Sequence, residues 1–137
     1  MEYLRIQAGP YTFRARLELE LAPNTCTRFT ELLPFENKVV HSRWSGEAVW
    51  VPLGDFDMKL DYENHTCHPS RGDILLYPGD FSETEILFAY GSSNFASKMG
   101  DLAGNHFLTV VEGQENFPAF GRLVLWEGAQ DIIFTAE

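Results

Sequence analysis

The sequence predicts a mainly β fold, a closed barrel of about eight short strands with two short helices. Residues 11–19 alternate strictly between apolar and polar side chains, which is the period of a strand with one buried face. Further short apolar segments follow along the chain, separated by Gly, Pro and Asn. Two segments with helical spacing interrupt them far apart in the sequence. Such a chain could form a sandwich or a barrel, and closure into a barrel is favoured because it removes the exposed edges that short strands would otherwise leave.

The first two strands are predicted at residues 3–8 and 11–19, and the Gly9-Pro10 break between them indicates a hairpin. The remaining strands are predicted at residues 39–40, 48–51, 74–77, 85–90, 106–111 and 132–134. Residues 54–72 and 91–104 are typical of surface loops because they are rich in small polar residues and Gly.

Two short helices are predicted between these strands. The first begins at Asn24 and Thr25, whose short polar side chains can accept hydrogen bonds from free backbone N–H groups. Its apolar positions recur at three and four residues and form one buried stripe of Cys26, Phe29 and Leu33. Pro34 ends this helix. The second helix is indicated by Phe117, Phe120 and Val124.

The composition is that of one soluble globular domain over residues 1–137. Hydrophobic residues make up 45% of the chain, with 11 Phe, 5 Tyr and 3 Trp, which is enough for a core without disulfides. Acidic residues outnumber basic ones by 20 to 10, and no basic patch offsets the net charge of −10. Nucleic acid is therefore not an expected partner.

Short motifs bear on localisation and cofactors. The N-terminal residues lack a basic and apolar leader, and the longest apolar runs, about five residues, are far shorter than the ~20 needed to cross a bilayer. Cys26 and Cys67 form no disulfide framework, so a cytoplasmic protein without a membrane partner is expected. His65, Cys67 and His68 lie close together, but zinc sites usually need a second pair of ligands, so no metal or cofactor is predicted.

Three motifs, in this order along the chain, resemble those of cyclophilins. Residues 22–29, Ala-Pro-Asn-Thr-Cys-Thr-Arg-Phe, resemble the Ala-Pro-x-Thr-x-x-Asn-Phe opening of the first cyclophilin helix. Residues 54–56, Gly-Asp-Phe, resemble the end of the Gln-Gly-Gly-Asp-Phe motif. Residues 109–113, Thr-Val-Val-Glu-Gly, resemble the Lys-Val-Val-Glu-Gly that opens the second helix. The resemblance implies a cyclophilin-like barrel.

A closer resemblance is to an uncharacterised bacterial family of cyclophilin-like proteins. It rests on four segments: Arg-Trp-Ser-Gly-Glu-Ala-Val-Trp at 43–50, Gly-Asp-Ile-Leu-Leu-Tyr-Pro-Gly at 72–79, Phe-Ala-Ser-Lys at 95–98 and Leu-Trp-Glu-Gly-Ala-Gln at 125–130. This resemblance implies the barrel but no particular activity, because function depends on the site and not on the fold.

The cyclophilin resemblance also points to two residues of the isomerase site. Arg43 occupies the place of the arginine that hydrogen-bonds near the prolyl nitrogen, and His106 matches the pocket histidine. However, Pro52 falls on the motif glutamine, and no tryptophan stands just before residues 104–106, where the family places one. Since Pro52 offers no side-chain donor or acceptor, peptidyl-prolyl isomerase activity is not expected.

A site for a small metabolite or short peptide is predicted around Arg43 instead. Arg43, Trp44 and Glu47 lie in one turn and strand, where they offer a cation, an aromatic surface and a carboxylate. His41 or His106 could complete the pocket. These five residues are the predicted ligand-binding set, and Arg43 and His106 are the catalytic candidates.

Several alternatives stay open from the sequence. Arg43 and Glu47 could form a structural salt bridge over a core tryptophan. An enzyme of unknown reaction could use the same pocket, with His106 as base and Arg43 as electrostatic stabiliser. The high aromatic content could serve a homo-oligomer interface. Glu83 and Glu85 lie two residues apart on a predicted strand, and we expect both to be solvated charges.

Overall fold

A computed structural model describes residues 1–137. Its eight long strands are β1 (Tyr3–Ala8), β2 (Tyr11–Leu17), β3 (Phe35–His41), β4 (Gly46–Gly54), β5 (Asp73–Tyr77), β6 (Thr84–Ser93), β7 (Gly104–Glu112) and β8 (Gln130–Ala136). Its two α-helices are α1 (Pro23–Glu31) and α2 (Phe117–Glu127). A 3₁₀ turn, Arg43–Ser45, precedes β4. Neither helix is long and apolar enough to cross a membrane.

The eight strands close into an antiparallel barrel. Their order is β2-β1-β8-β3-β4-β6-β5-β7, and β7 pairs back onto β2. The β1–β2 pair is the hairpin predicted from the Gly9-Pro10 break. A short strand, His65–Thr66, pairs with β7, and a small hairpin joins Ala96–Ser97 to Gly100–Asp101. The closed, mainly β barrel predicted from the sequence is confirmed.

The main core fills the inside of the barrel. It contains 26 buried residues, and alternate side chains of β2 point into it, as the period-two pattern predicted. Phe13 is a centre of this core, because its ring packs within 5.5 Å of Phe88 and within 5.4 Å of Phe117 and Phe120. The last two residues belong to α2, so this helix is held to the barrel by aromatic packing.

Helix α1 is capped by a distant residue and not by its own sequence. Ala22 occupies the N-cap and makes no side-chain cap bond. Instead, the Thr25 backbone N–H donates to Oε2 of Glu63 at 2.6 Å, and the Thr25 hydroxyl donates to the same oxygen. The helix ends at Glu31, two residues before the last apolar position of the predicted stripe.

A second, smaller core lies on the outer side of the barrel wall. Ala48, Leu75 and Leu87 of three neighbouring strands are buried there beneath Phe95 and Leu102. The polar segment that connects β6 to β7 was predicted to be a surface loop, but two of its apolar side chains, Phe95 and Leu102, cover this part of the wall. Strand β6 is therefore buried on both faces. A cavity lies at the edge of the covering segment.

Candidate functional site

The cavity at this edge has a volume of about 720 Å³ and a mixed lining. Its apolar lining residues are Trp44, Trp50, Phe81, Ala96 and Met99. Its charged lining residues are Glu83, Glu85 and Lys98. We call it the tryptophan cavity. Its volume is in the range that proteins use for small-molecule ligands.

Two tryptophans form the aromatic wall. The rings of Trp44 and Trp50 meet edge to face, with centroids 5.9 Å apart and planes at 78°. The indole N–H of Trp44 donates to the Ala96 carbonyl at 3.0 Å, which fixes the ring although 57% of the residue is exposed. The indole N–H of Trp50 is buried and has no acceptor. The wall therefore holds an unused hydrogen-bond donor. A buried donor without an acceptor lowers stability by about 1–3 kcal/mol.

A buried carboxyl group completes the cavity. Glu85 lies near the start of β6, paired with Pro52 on β4 and Tyr77 on β5, and is only 6% exposed. It forms no salt bridge and no side-chain hydrogen bond. Burial, with a further contribution from the charge of Glu83, raises the pKa of Glu85 to about 8. The expectation that Glu85 is a solvated charge is wrong, whereas Glu83 is exposed as expected.

The rim of the cavity is held by partly buried hydrogen bonds. The Tyr77 hydroxyl oxygen accepts the backbone N–H groups of Phe81 and Ser82, each at 2.9 Å. These bonds fix the loop between β5 and β6 and place the exposed Phe81 ring at the cavity. On the other side, the buried Ser45 hydroxyl accepts the Ala96 N–H at 3.2 Å. The turn that holds Trp44 is thereby joined to the small hairpin.

An acidic depression of about 550 Å³ adjoins the tryptophan cavity. The two share Ser82 and Glu83 in their linings. Asp55, Asp57 and Asp80 line the depression, and no Lys, Arg or His does. The aspartates of this depression therefore add negative charge to that of Glu83 and Glu85 in the tryptophan cavity.

The structure separates the five residues of the predicted binding set. Trp44 is the one that lines the tryptophan cavity. Arg43, its neighbour in the turn, is exposed and forms no salt bridge, so the alternative of an Arg43–Glu47 ion pair is not realised. Glu47 instead accepts the backbone N–H of Ser92 at 2.9 Å.

His41 lies beside a different depression. Its Nε2 is 2.8 Å from the hydroxyl of Tyr90, and Tyr90 and Glu47 both line a depression of about 570 Å³ that extends toward Pro118. Burial and the nearby Arg43 charge lower the pKa of His41, which favours the neutral ring.

His106 belongs to a third group, on β7. Its Nε2 is 2.8 Å from the Thr109 hydroxyl and 3.3 Å from Oδ1 of Asp73. Thr109 in turn donates to Oε2 of Glu18 at 3.0 Å. His106 does not line the tryptophan cavity. A site that combines His106 with Arg43 stays a prediction that these contacts do not favour.

The residues that the sequence analysis missed are Trp50, Phe81, Glu85 and Met99. One signal could have pointed to Glu85. The uninterrupted apolar run at residues 86–90 is typical of a strand that is buried on both faces. Since Glu85 directly precedes this run, a carboxyl at the edge of a covered wall could have been inferred. Phe81 and Met99 reach the cavity through the packing of loops, and no local pattern in the sequence indicates this.

The barrel and its two helices place the protein among the cyclophilin-like folds. A cyclophilin-type peptidyl-prolyl cis-trans isomerase from Cryptosporidium parvum, solved in the presence of the dipeptide Ala-Pro, is similar with a TM-score of 0.62 and 13% identity, over 99% of this chain and 100% of that one. A hypothetical protein from Archaeoglobus fulgidus is similar with a TM-score of 0.64 and 15% identity, over 99% and 95% of the two chains.

The structure of McbB in complex with tryptophan is also similar, with a TM-score of 0.71 and 19% identity. The match covers 98% of this chain but 44% of that one, so the protein spans less than half the length of McbB. By sequence, residues 4–136 match the family described as "Protein of unknown function (DUF3830)", and the chain belongs to that family. No curated protein sequence matches it.

Proposed function

We propose that the protein binds a small molecule in the tryptophan cavity. The observation that supports this most directly is Glu85, a buried carboxyl with no partner that lines a cavity beside Trp44 and Trp50. A group in a cleft whose pKa is strongly raised by burial and by a neighbouring charge is a candidate functional residue. Trp50, which lines the same cavity, has a buried indole N–H without an acceptor.

The comparison with McbB adds support. That structure holds tryptophan, so a protein containing a barrel of this fold binds a small aromatic amino acid. The predicted location near Arg43 is retained in a modified form. Trp44 of the 3₁₀ turn lines the cavity, and Arg43 is the exposed residue that precedes it in the chain.

A ligand screen tests this proposal. The protein is mixed with a library of metabolites and short peptides, and the melting temperature and tryptophan fluorescence are recorded. A ligand present at 100 times its Kd stabilises the native state by about 2.7 kcal/mol. Hits are then titrated into the Trp44→Ala and Trp126→Ala variants. Trp126 is a matched control because it is 77% exposed on α2 and does not line the cavity.

We expect Trp44→Ala to weaken the binding of the hits at least tenfold and Trp126→Ala to leave it unchanged. The opposite pattern, or equal binding to all three proteins, would show that the ligand does not occupy this cavity. A screen without any hit would leave the proposed function without support and we would abandon it.

An enzyme that acts at the same cavity is the second candidate. It is favoured by one observation, the raised pKa of Glu85, because a carboxyl that titrates near neutral pH suits general acid or base catalysis. In this version Glu85 takes the role that the sequence analysis gave to His106. Incubation of each screened ligand with the wild type and Glu85→Gln, followed by NMR for new products, separates catalysis from binding.

A further inference from the structure

The charges around the tryptophan cavity are predominantly negative. Glu83 and Glu85 line it, and the adjoining acidic depression adds the aspartates at 55, 57 and 80. Lys98 is the one basic residue in either lining, and it is exposed and unpaired at the turn of the small hairpin. A concave surface lined by one sign of charge concentrates ligands of the opposite sign.

The aromatic wall has room for a cation. Arg14, Arg28 and Arg71 each lie over an aromatic ring elsewhere in the protein, but no cation of the chain lies over Trp44 or Trp50. Tryptophan offers the strongest cation–π interaction of the aromatic side chains. The partly exposed indoles are therefore unoccupied surfaces of the type that binds ammonium groups.

A buried carboxyl beside such rings favours the same ligand. Glu85 is 6% exposed and has neither a hydrogen-bond donor nor a counter-charge from the protein. A protonated amine in the cavity would supply both, and a quaternary amine would supply the counter-charge. A ligand carboxylate would instead meet the exposed charge of Glu83, and Lys98 is the one basic side chain of the lining that could pair with it.

We infer that the ligand of the tryptophan cavity is an organic cation, a protonated or quaternary amine whose charged nitrogen lies between the two indole rings and the Glu85 carboxylate. This inference rests on the proposed function and specifies its ligand class. The amine donates to the carboxylate or, when it is quaternary, pairs with it by charge alone. The hydrocarbon part of the ligand packs on Trp44, Phe81 and Met99.

Binding of this kind is coupled to a proton. The titratable groups that border Glu85 are Glu83, Tyr77 on the neighbouring strand and Lys98 across the cavity. Burial and Glu83 keep Glu85 largely protonated at pH 7 in the empty protein. A cation favours the ionised form, so binding at pH 7 releases nearly one proton.

Calorimetric titration with four related indole derivatives, of which tryptamine and tryptophol are equal in size, tests the ligand class. Tryptamine has a positive charge, tryptophol is neutral, tryptophan is a zwitterion and indole-3-propionate is an anion. We expect tryptamine to bind at least tenfold more tightly than tryptophol, and indole-3-propionate to bind most weakly. Choline and its neutral isostere 3,3-dimethylbutan-1-ol form a second pair, with the same expected order. Titrations in two buffers of different ionisation enthalpy measure the released proton.

Variants add an independent check. Glu85→Gln should reduce tryptamine binding at least tenfold and abolish proton release, while tryptophol binding stays the same. Lys98→Gln should strengthen tryptamine binding, whereas weaker binding would indicate a zwitterionic or anionic ligand. Melting curves confirm that each variant is folded.

The possible failures can be told apart. Equal or tighter binding of the neutral or anionic compounds would overturn the cation inference and leave the proposed function intact. The same holds if no amine binds but the screen yields another ligand in the Trp44-dependent manner described above. If neither the amines nor the screen gives a ligand, both proposals fail.

Discussion

Replacing Glu85 by Gln should stabilise the ligand-free protein at alkaline pH and leave its stability nearly unchanged at acid pH. Gln has the shape of the protonated acid but cannot ionise. The pKa of Glu85 is raised from its ordinary value of 4.5 to about 8 in the folded state. Between these two values the folded protein keeps a proton that the unfolded chain has lost. The free energy of unfolding therefore falls as the pH rises through this window.

The magnitude follows from the two pKa values. Each pH unit between them is worth about 1.4 kcal/mol, so the loss approaches about 5 kcal/mol by pH 9. This is a large part of the 5–15 kcal/mol that stabilises a typical domain. Burial of Glu85, which is 6% exposed, is the main cause of this effect. The difference in stability between Glu85→Gln and the wild type should grow from near zero at pH 4 to this value.

Urea denaturation of both proteins at one-unit steps from pH 4 to pH 9 measures that difference. Other groups, among them His41, titrate in the same range, but they do so in both proteins and cancel. Glu83→Gln is the matched control. It removes an exposed charge that repels Glu85, so it should reduce the pH dependence in part without abolishing it. A difference that does not change with pH would contradict this prediction, since Glu85 would then ionise as in water.

Three further predictions concern the surroundings of the site. Tyr77→Phe leaves the backbone N–H of Phe81 without its acceptor, so it should lower stability by about 1–3 kcal/mol in urea denaturation. It should also lower ligand affinity. Unchanged values would show that the loop is held by other contacts. Gly121→Ala should lower the melting temperature, because its Cβ would lie 2.1 Å from the Tyr90 ring and overpacking costs about 1–3 kcal/mol; a melting temperature equal to the wild type would contradict this. Arg43→Ala should change stability by no more than about 0.5 kcal/mol, since Arg43 is exposed and unpaired. A loss of ligand affinity in this variant would therefore mean that Arg43 contacts the ligand and not that the protein is destabilised.

The fold was predictable because its signals are local. The alternation along β2 and the Gly9-Pro10 break specify a strand with one buried face and a hairpin, and both are present. The apolar spacing of the second helix likewise gave Phe117 and Phe120 as core residues. Each of these patterns depends on neighbours within a few residues, so it can be recognised without the rest of the molecule.

The boundaries of α1 show where local signals end. The sequence suggested that the helix supplies its own cap from Asn24 or Thr25, but Glu63 caps it from a distant loop. An acceptor 38 residues away satisfies the same backbone donors as a local side chain would. Nothing in the helix sequence distinguishes these two possibilities.

The candidate site was predicted in part. Trp44 was identified from the turn that contains it, and it does line the cavity. Its partners Trp50 and Glu85 lie on adjacent strands, where the pairing register and not the chain order brings their side chains to one face. His106 and Glu47 looked like suitable partners in the sequence, but the same registers place them beside other depressions or clusters.

Strand period, turn residues and charge are properties of short segments or of composition, so an acidic, mainly β protein with two helices could be predicted from the sequence, and the resemblance to cyclophilins implied the closed barrel. The character of Glu85 became clear only from the folded structure. Its charge state depends on burial at the edge of the outer wall, on the nearby charge of Glu83 and on the lack of a salt bridge to a basic residue. Burial is a property of the folded surroundings, and so is the chemistry that follows from it.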